Sequence, residues 1–124
     1  MLLIDTNIFV DHLRGYTPAN KFFETISSKN DIIFSSITEA ELVAGKECKD
    51  SGKKQLLLQF LHRWEKIPVS NPIAVLAGDL SREHGLDIPD AIIAATSIIN
   101  KAEILTKNIK DFKLIPRLKV IVPY

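Results

Sequence analysis

The stretch Leu2-Leu3-Ile4-Asp5-Thr6-Asn7 decides the fold, because it places an acid directly after a short apolar run. A short apolar run closed by polar residues predicts a buried strand, and a helix is predicted from Asn7 to about Leu13. In open α/β sheets, ligands bind just beyond the carboxyl ends of the strands. Asp5 therefore lies where a functional site is expected, although an Asp at this point could equally cap the helix.

The composition predicts one compact domain over residues 1–124. With 46% hydrophobic and 25% charged residues, the chain has enough apolar side chains for a core. Its apolar stretches are shorter than the roughly 18 residues of a membrane span, and no targeting segment is recognised, so a cytoplasmic protein is expected. The single cysteine, Cys48, can form no internal disulfide. The net charge of +1 does not by itself indicate a nucleic-acid binder, but local lysine clusters leave that role open.

Strand patterns alternate with helix patterns along the rest of the chain. Further strands are predicted over 31–35, 103–106 and 119–122, and residues 66–69 are predicted to form either a short strand or an extended link into the next helix. Helices are predicted over 19–28, 37–48, 53–64, 72–84 and 91–99. The last of these helices is apolar almost all round, which indicates a central, closely packed position. The alternation indicates an α/β three-layer sandwich, in which a parallel sheet of four to five strands is flanked by helices.

The second acidic turn contains two glutamates that play different parts. Ser36-Ile37-Thr38-Glu39 matches a capping box, which gives Glu39 a structural role at the start of a helix. Glu41 has no such role, and its spacing places it on one face with Ile37 and Ala44. A carboxylate that points inward among apolar neighbours needs a partner. Glu41 is therefore preferred over Glu39 as a functional acid.

Two further acidic turns follow. Asp87 and Asp90 flank the start of the apolar helix, and either of them could cap it. Asp90 leads directly into the most apolar helix, so it is preferred as the functional acid and Asp87 as the cap. Asp111 follows the predicted strand 103–106, and a parallel sheet would bring it to the same edge as the other acids. It could also be a cap or a surface acid.

Carboxylates that meet at one edge of a sheet repel one another unless a cation lies between them. Oxygen ligands favour Mg²⁺ or Mn²⁺. The predicted chemistry is metal-assisted hydrolysis of a phosphodiester bond, in which water is activated for in-line attack. Polar residues beside the acids are expected to hydrogen-bond to them, although each could instead be a cap or turn residue: Thr6, Asn7, Ser36, Thr38, Thr106 and Asn108.

In order and spacing, the four turns together resemble the PIN-domain ribonucleases, and in particular the VapC type. The segments that carry the resemblance are 3–7, 38–42, 89–96, 106–112 and 115–120. The resemblance implies a quartet of acids that binds Mg²⁺ or Mn²⁺ and cleaves RNA, formed by Asp5, Glu41, Asp90 and Asp111. Where the family often has a further Asp, this chain has Asn108, which leaves open whether Asp111 or Asn108 contacts the metal.

The resemblance also implies partners. VapC-like proteins are typically homodimers that a small VapB-like antitoxin holds inactive. The amphipathic helices over 19–28 and 53–64 could contact such partners, and a role in the core explains their pattern equally well.

Several functions remain open on the sequence. The first is the toxin endoribonuclease of a toxin–antitoxin pair, and the second is a PIN nuclease for RNA processing without an antitoxin. The third is a PIN-like module that binds RNA or protein without cutting it. A phosphotransferase with Asp5 as nucleophile is disfavoured, because the second Asp expected two residues later is Asn7.

Overall fold

The computed structural model describes residues 1–26 and 31–124, and a sheet of five parallel strands lies at its centre. The strands are β1 Leu2–Ile4, β2 Ile32–Ser35, β3 Glu65–Ile67, β4 Glu103–Leu105 and β5 Val120–Ile121. Their order across the sheet is β3-β2-β1-β4-β5. Every neighbouring pair is parallel, so the carboxyl ends of all five strands meet at one edge. The predicted parallel sheet is confirmed.

Helices cover both faces of the sheet. In the described part of the chain they are α1 Thr6–Leu13, α2 Thr17–Ile26, α3 Ser36–Val43, α4 Ser51–Leu61, α5 Asn71–His84, α6 Ile88–Ile99 and α7 Ile109–Phe112. The predicted end of the second helix, at residue 28, lies outside the described residues. Over the ranges 1–26 and 31–124, no helix is both long enough and apolar enough to cross a membrane.

The helix predicted over 37–48 is wrong in its second half. Helix α3 ends at Val43, and a separate 3₁₀ helix follows over Lys46–Lys49. Gly45 between them has an extended backbone (φ −64°, ψ 149°), because glycine has little preference for the helical conformation. The end of α5 agrees with the sequence pattern, since Gly85 caps it in the left-handed conformation with φ 70°.

Alternation along the strands divides the core into two apolar layers. Leu3 and Ile104 face one layer, where they pack with residues of α5 and α6. Ile4 and Leu105, the next residues along the same strands, face the other layer, with residues of α1, α2 and α4. Helix α6 buries six of its residues: Ala91, Ile93, Ala94, Ala95, Thr96 and Ser97. The three-layer sandwich and the central position of this helix are therefore as predicted.

The position of β1 explains where a site can form. β1 lies in the middle of the sheet, between β2 and β4. After β1, the chain first adds β2 and β3 on one side of it and then adds β4 and β5 on the other side. At such a point the connections leave the sheet in opposite directions, which opens a crevice at the carboxyl ends of the strands. Asp5 follows β1 and Thr106 follows β4, so both lie at this crevice.

Phe9 on α1 occupies the centre of an aromatic cluster, and its removal should destabilise the fold. It is fully buried, and its ring centroid lies 5.5 Å from Phe23, 5.7 Å from Phe34 and 5.7 Å from Trp64. Phe9→Ala is expected to lower the free energy of unfolding by about 3–5 kcal/mol, because it leaves a cavity. Urea denaturation measures this change.

Val75→Ala is the control for that prediction. Val75 lies on α5 and is 68% exposed, so its truncation should change the free energy of unfolding by less than about 0.5 kcal/mol. Equal effects of the two substitutions would contradict the central position of Phe9.

Candidate active site

Asp5 directly follows β1, the central strand, at the carboxyl-terminal edge of the sheet. The residue is only 4% exposed. Its Oδ1 accepts a hydrogen bond of 2.7 Å from the backbone N–H of Thr6, and its Oδ2 accepts one of 2.7 Å from the hydroxyl of Thr106. Asp5 is also the N-cap residue of α1. The helix cap that the sequence allowed is therefore present, but it uses only one of the two carboxylate oxygens.

Thr106 connects Asp5 with two other turns. Its hydroxyl donates its single hydrogen to Asp5 and accepts from the backbone N–H of Asn108 at 2.9 Å and from Nδ2 of Asn7 at 3.3 Å. The side-chain Nδ2 of Asn108 in turn donates to Oδ2 of Asp111 at 3.2 Å. These bonds link the ends of β1 and β4 with α7, so they position Asp111 relative to Asp5.

Glu41 is held by a second set of hydroxyl groups. The hydroxyl of Thr6 donates to Oε1 of Glu41 at 2.8 Å. Because this bond uses the only hydrogen of that hydroxyl, the hydroxyl of Thr38, 2.9 Å away, donates to Thr6. The expectation that Glu41 points inward among apolar neighbours is wrong, because its side chain is exposed. Glu41 reaches the edge of the sheet through its bond with Thr6.

The capping box predicted at the start of α3 is wrong by one residue. Ser35 is the N-cap, and its Oγ accepts from the backbone N–H of Ile37 at 3.1 Å. An N-cap residue has an extended backbone, which Ser35 already has as the last residue of β2. Glu39 accepts instead from Nζ of Lys66 on β3 at 2.8 Å. Within residues 1–26 and 31–124, Ser36 makes no hydrogen bond to the predicted acids. The sequence contains two adjacent serines, Ser35 and Ser36, and each of them matches the pattern of an N-cap residue.

Asp90 lies in the first turn of α6 and is half-buried. Burial is the main cause of a raised pKa for Asp90, and the nearby charges of Asp111, Asp87 and Glu41 raise it further. Asp87 occupies the N-cap position, as predicted, but its side chain makes no capping hydrogen bond.

Neighbouring acidic charges also act on the buried carboxylate of Asp5. Burial is the main reason that the pKa of Asp5 rises to about 6. The charges of Asp90 and Glu41 raise it further, whereas the two hydrogen bonds to its oxygens lower it. Hydrogen bonds tie Glu41 to Thr6, beside Asp5, and Asp111 to Asn108, beside Thr106. With Asp90 in the first turn of α6, where the charges of Asp111 and Glu41 act on it, the four acids of the predicted quartet lie towards one edge of the sheet.

The donor set suits a hard divalent cation. Each of the four acids offers carboxylate oxygen, which Mg²⁺ and Mn²⁺ prefer. In the part of the chain that the structure describes, no three acidic, histidine or cysteine side chains lie close enough together to enclose a metal ion by themselves. Mg²⁺ typically binds through one or two carboxylates and completes its shell with water and substrate phosphates. The residues therefore fit an ion that is held partly by the substrate.

Comparison with known proteins defines the class to which this chain belongs. Residues 2–118 match the family described as PIN domain, and the chain is a member of that family. Ribonuclease VapC19 of Mycobacterium tuberculosis (strain ATCC 25618 / H37Rv) is 35% identical over 125 residues, which cover 96% of this chain and 98% of that protein. The resemblance that the four turns indicate is confirmed.

Solved structures show the same fold. A chain in a toxin–antitoxin complex from Klebsiella pneumoniae superposes with a TM-score of 0.85 at 33% identity, covering 100% of this chain and 98% of that one. A chain in VapBC2 from Rickettsia felis, bound to a DNA fragment from their promoter, gives a TM-score of 0.81 at 31% identity, covering 97% and 96%. The agreement extends over essentially the whole sandwich.

Thr106→Val tests the hydrogen bond that holds Asp5. The substitution removes a donor from a buried carboxylate, so the pKa of Asp5 should rise above about 6. The free energy of unfolding should fall by about 1–3 kcal/mol near pH 7. Because folded Asp5 is protonated below its pKa of about 6, this contribution to the loss should shrink as the pH falls through about 6 and be absent below about pH 5.

Thr96→Val is the matched control for that prediction. Thr96 is as buried as Thr106, but its hydroxyl donates to the backbone oxygen of Ile92 within α6. Urea denaturation at several pH values and an NMR titration of the Asp5 carboxyl should show no shift of the Asp5 pKa in this variant. A pH-independent loss for Thr106→Val would contradict the assigned role of its hydroxyl.

Proposed function

We propose that this protein is a Mg²⁺- or Mn²⁺-dependent endoribonuclease and the toxin of a VapBC-type toxin–antitoxin pair. The observation that carries the proposal is the meeting of four acids at one sheet edge, where burial and mutual repulsion raise the pKa values of Asp5 and Asp90. The name of the ribonuclease VapC19 supports the activity on RNA. The related toxin–antitoxin complexes support an antitoxin partner.

The residues that would hold the cation are Asp5, Glu41, Asp90 and Asp111. When bound, a divalent cation supplies activation of water for in-line attack and neutralises charge at the phosphate. Thr106 and the N–H of Thr6 hold both oxygens of Asp5, and the hydroxyl of Thr6 holds one oxygen of Glu41. These carboxylates are thus already oriented before substrate arrives, which lowers the cost of assembling the site.

RNA cleavage tests the activity directly. The purified protein should cleave RNA in the presence of Mg²⁺ or Mn²⁺, and a chelator should stop the reaction. Asp5→Asn and Asp90→Asn should each lower the cleavage rate by roughly a hundredfold or more, because even residues behind the metal ligands typically contribute ten- to a hundredfold. Circular dichroism checks that the variants remain folded, and mapping of the cleaved ends identifies the target.

Two neighbouring glutamates on α3 provide a matched pair for the same assay. Glu41→Gln should lower the cleavage rate by about tenfold or more. Glu39→Gln removes only a surface ion pair with Lys66 and should leave the rate unchanged. Equal effects would contradict the placement of Glu41 in the site. Cleavage that survives both the chelator and Asp5→Asn would refute the metal mechanism, and RNA binding without cleavage would support a non-cleaving module.

The toxin assignment is tested in cells. Expression of the protein in a bacterial host should arrest growth, and co-expression of a small reading frame beside the gene should restore it. The antitoxin should co-purify with the protein, and light scattering of the free protein tests the predicted homodimer. Absence of growth arrest together with RNA cleavage in vitro would favour an RNA-processing nuclease.

A further inference from the structure

A cluster of four side chains beside the acids has no part in the hydrolysis proposed above. It consists of Asp11 on α1, Tyr16 between α1 and α2, Lys107 after β4 and Tyr124 after β5, and is called here the lysine–tyrosine cluster. Nζ of Lys107 lies 5.1 Å from the ring centroid of Tyr16 and 5.3 Å from that of Tyr124. The same Nζ lies 3.4 Å from Oδ2 of Asp11.

The contacts of the cluster hold the lysine in one place. The hydroxyl of Tyr124 donates to Oδ2 of Asp11 at 2.8 Å, and the rings of Tyr16 and Tyr124 meet edge to face at 5.8 Å. Burial of Tyr124, together with Asp11, raises the pKa of the hydroxyl, which therefore remains a donor at neutral pH. A lysine side chain is normally flexible, but here a carboxylate and two aromatic rings restrict it.

The cluster nevertheless remains open to solvent. The side chain of Lys107 is 43% exposed, and Tyr16 is 47% exposed. Since an ammonium group has three donors and Asp11 takes one, two remain available to a ligand. Lys107 lies over the Tyr16 ring, and because Tyr16 is 47% exposed it still offers surface to another planar group.

The lysine–tyrosine cluster adjoins the candidate active site along two elements. Lys107 directly follows Thr106, whose hydroxyl donates to Asp5. On α1, Asp11 lies four residues after Asn7, so the two are about one helical turn apart on the same face. The backbone N–H of Lys107 also contacts Oδ1 of Asn7 at 3.5 Å. The lysine–tyrosine cluster is therefore a direct neighbour of the turn whose hydroxyl holds Asp5.

We propose that Lys107 and Tyr16 form a nucleotide-binding subsite, where the ammonium binds a backbone phosphate and the tyrosine ring stacks on an adjacent base of single-stranded RNA. This inference rests on the proposed function, because it concerns how that substrate is held beside the cleaved bond. A fixed cation next to an exposed aromatic ring is the combination that single-strand binding sites use. The acids repel phosphate groups, and at their border the ammonium of Lys107, although paired with Asp11, is 43% exposed and offers a phosphate its two remaining N–H donors.

Binding of RNA in the absence of metal tests the subsite. The probe is a short fluorescein-labelled single-stranded RNA of mixed sequence, and fluorescence anisotropy with EDTA gives the Kd of the full-length protein. Lys107→Met should weaken binding about five- to tenfold and reduce the slope of log Kd against log salt by about 0.7, the value for one phosphate contact on a single strand. A purely structural role would leave that slope unchanged.

The tyrosine has its own pair of variants. Tyr16→Ala should weaken RNA binding about fivefold or more without changing the salt slope, whereas Tyr16→Phe should retain wild-type affinity because its ring still stacks. Lys54→Met, which removes an exposed lysine of α4, is the charge-matched control and should bind as the wild type does. Lys107 and Tyr16 are both partly exposed, and circular dichroism verifies the fold of every variant.

Cleavage with Mn²⁺ separates this inference from the proposed function. There, Lys107→Met and Tyr16→Ala should raise KM more than they lower kcat. If the wild type cleaves RNA and both variants bind and cleave like it, the subsite is overturned and the nuclease stands. If the wild type never cleaves but the variants lose RNA affinity as described, the nuclease is overturned and the subsite stands.

Two further binding measurements identify the class of ligand. An equal loss of affinity for single-stranded DNA of the same sequence supports a subsite that recognises phosphate and base but not the sugar. Variants that bind RNA normally and lose only a co-purifying protein partner would overturn the assignment to nucleic acid.

Discussion

The hydrogen bond from the Thr106 hydroxyl to Asp5 is the interaction on which the site depends. A carboxylate that is only 4% exposed is costly to bury without donors, and Thr106 provides one of the two that Asp5 receives. The same hydroxyl accepts from Asn7 and Asn108, so the charge of Asp5 is coupled to the turn after β4 and, through Asn108, to Asp111. Even with these donors, the pKa of Asp5 remains raised. Part of the fold's stability is thus given up at the place where the acids meet, as is common at functional sites.

Local patterns in the sequence were sufficient for the sandwich and for the approximate position of the acids. An apolar run that ends in an acid places Asp5 at a strand end, and in a parallel sheet all such ends share one edge. The preference for Glu41 agrees with its hydrogen bond to Thr6, but the reason for that preference was incorrect. Glu41 is exposed, and Glu39 forms an ion pair with Lys66 instead of completing a capping box. Spacing along a helix predicts which of its residues share a face, but it does not predict which residues of other elements contact that face.

Sequence patterns did not predict which side chains far apart in the chain contact each other. The lysines near the end of the printed sequence resemble ordinary surface charge, and only the fold places Lys107 against Asp11, 96 residues away. The choice between Ser35 and Ser36 as a cap was undetermined for a different reason, since adjacent serines satisfy the same pattern in two registers and the exact end of β2 decides between them. Sequence patterns therefore indicated the turns that carry the acids and five of the six polar residues that hydrogen-bond beside them, with Ser36 as the exception, but not the contacts that Lys107 and Lys66 make across the fold.

The central pairing of β1 with β4 also has a consequence for how the molecule forms. The bond between Asp5 and Thr106 spans 101 residues, and the two strands it joins are neighbours in the middle of the sheet. Such distant contacts close late and slow the folding of a domain. During synthesis, β1 emerges before β4 and cannot pair with it until residues 5–102, which lie between the two strands, have been made. A growing chain therefore carries Asp5 well before Thr106, the hydroxyl donor that holds its carboxylate, has been made.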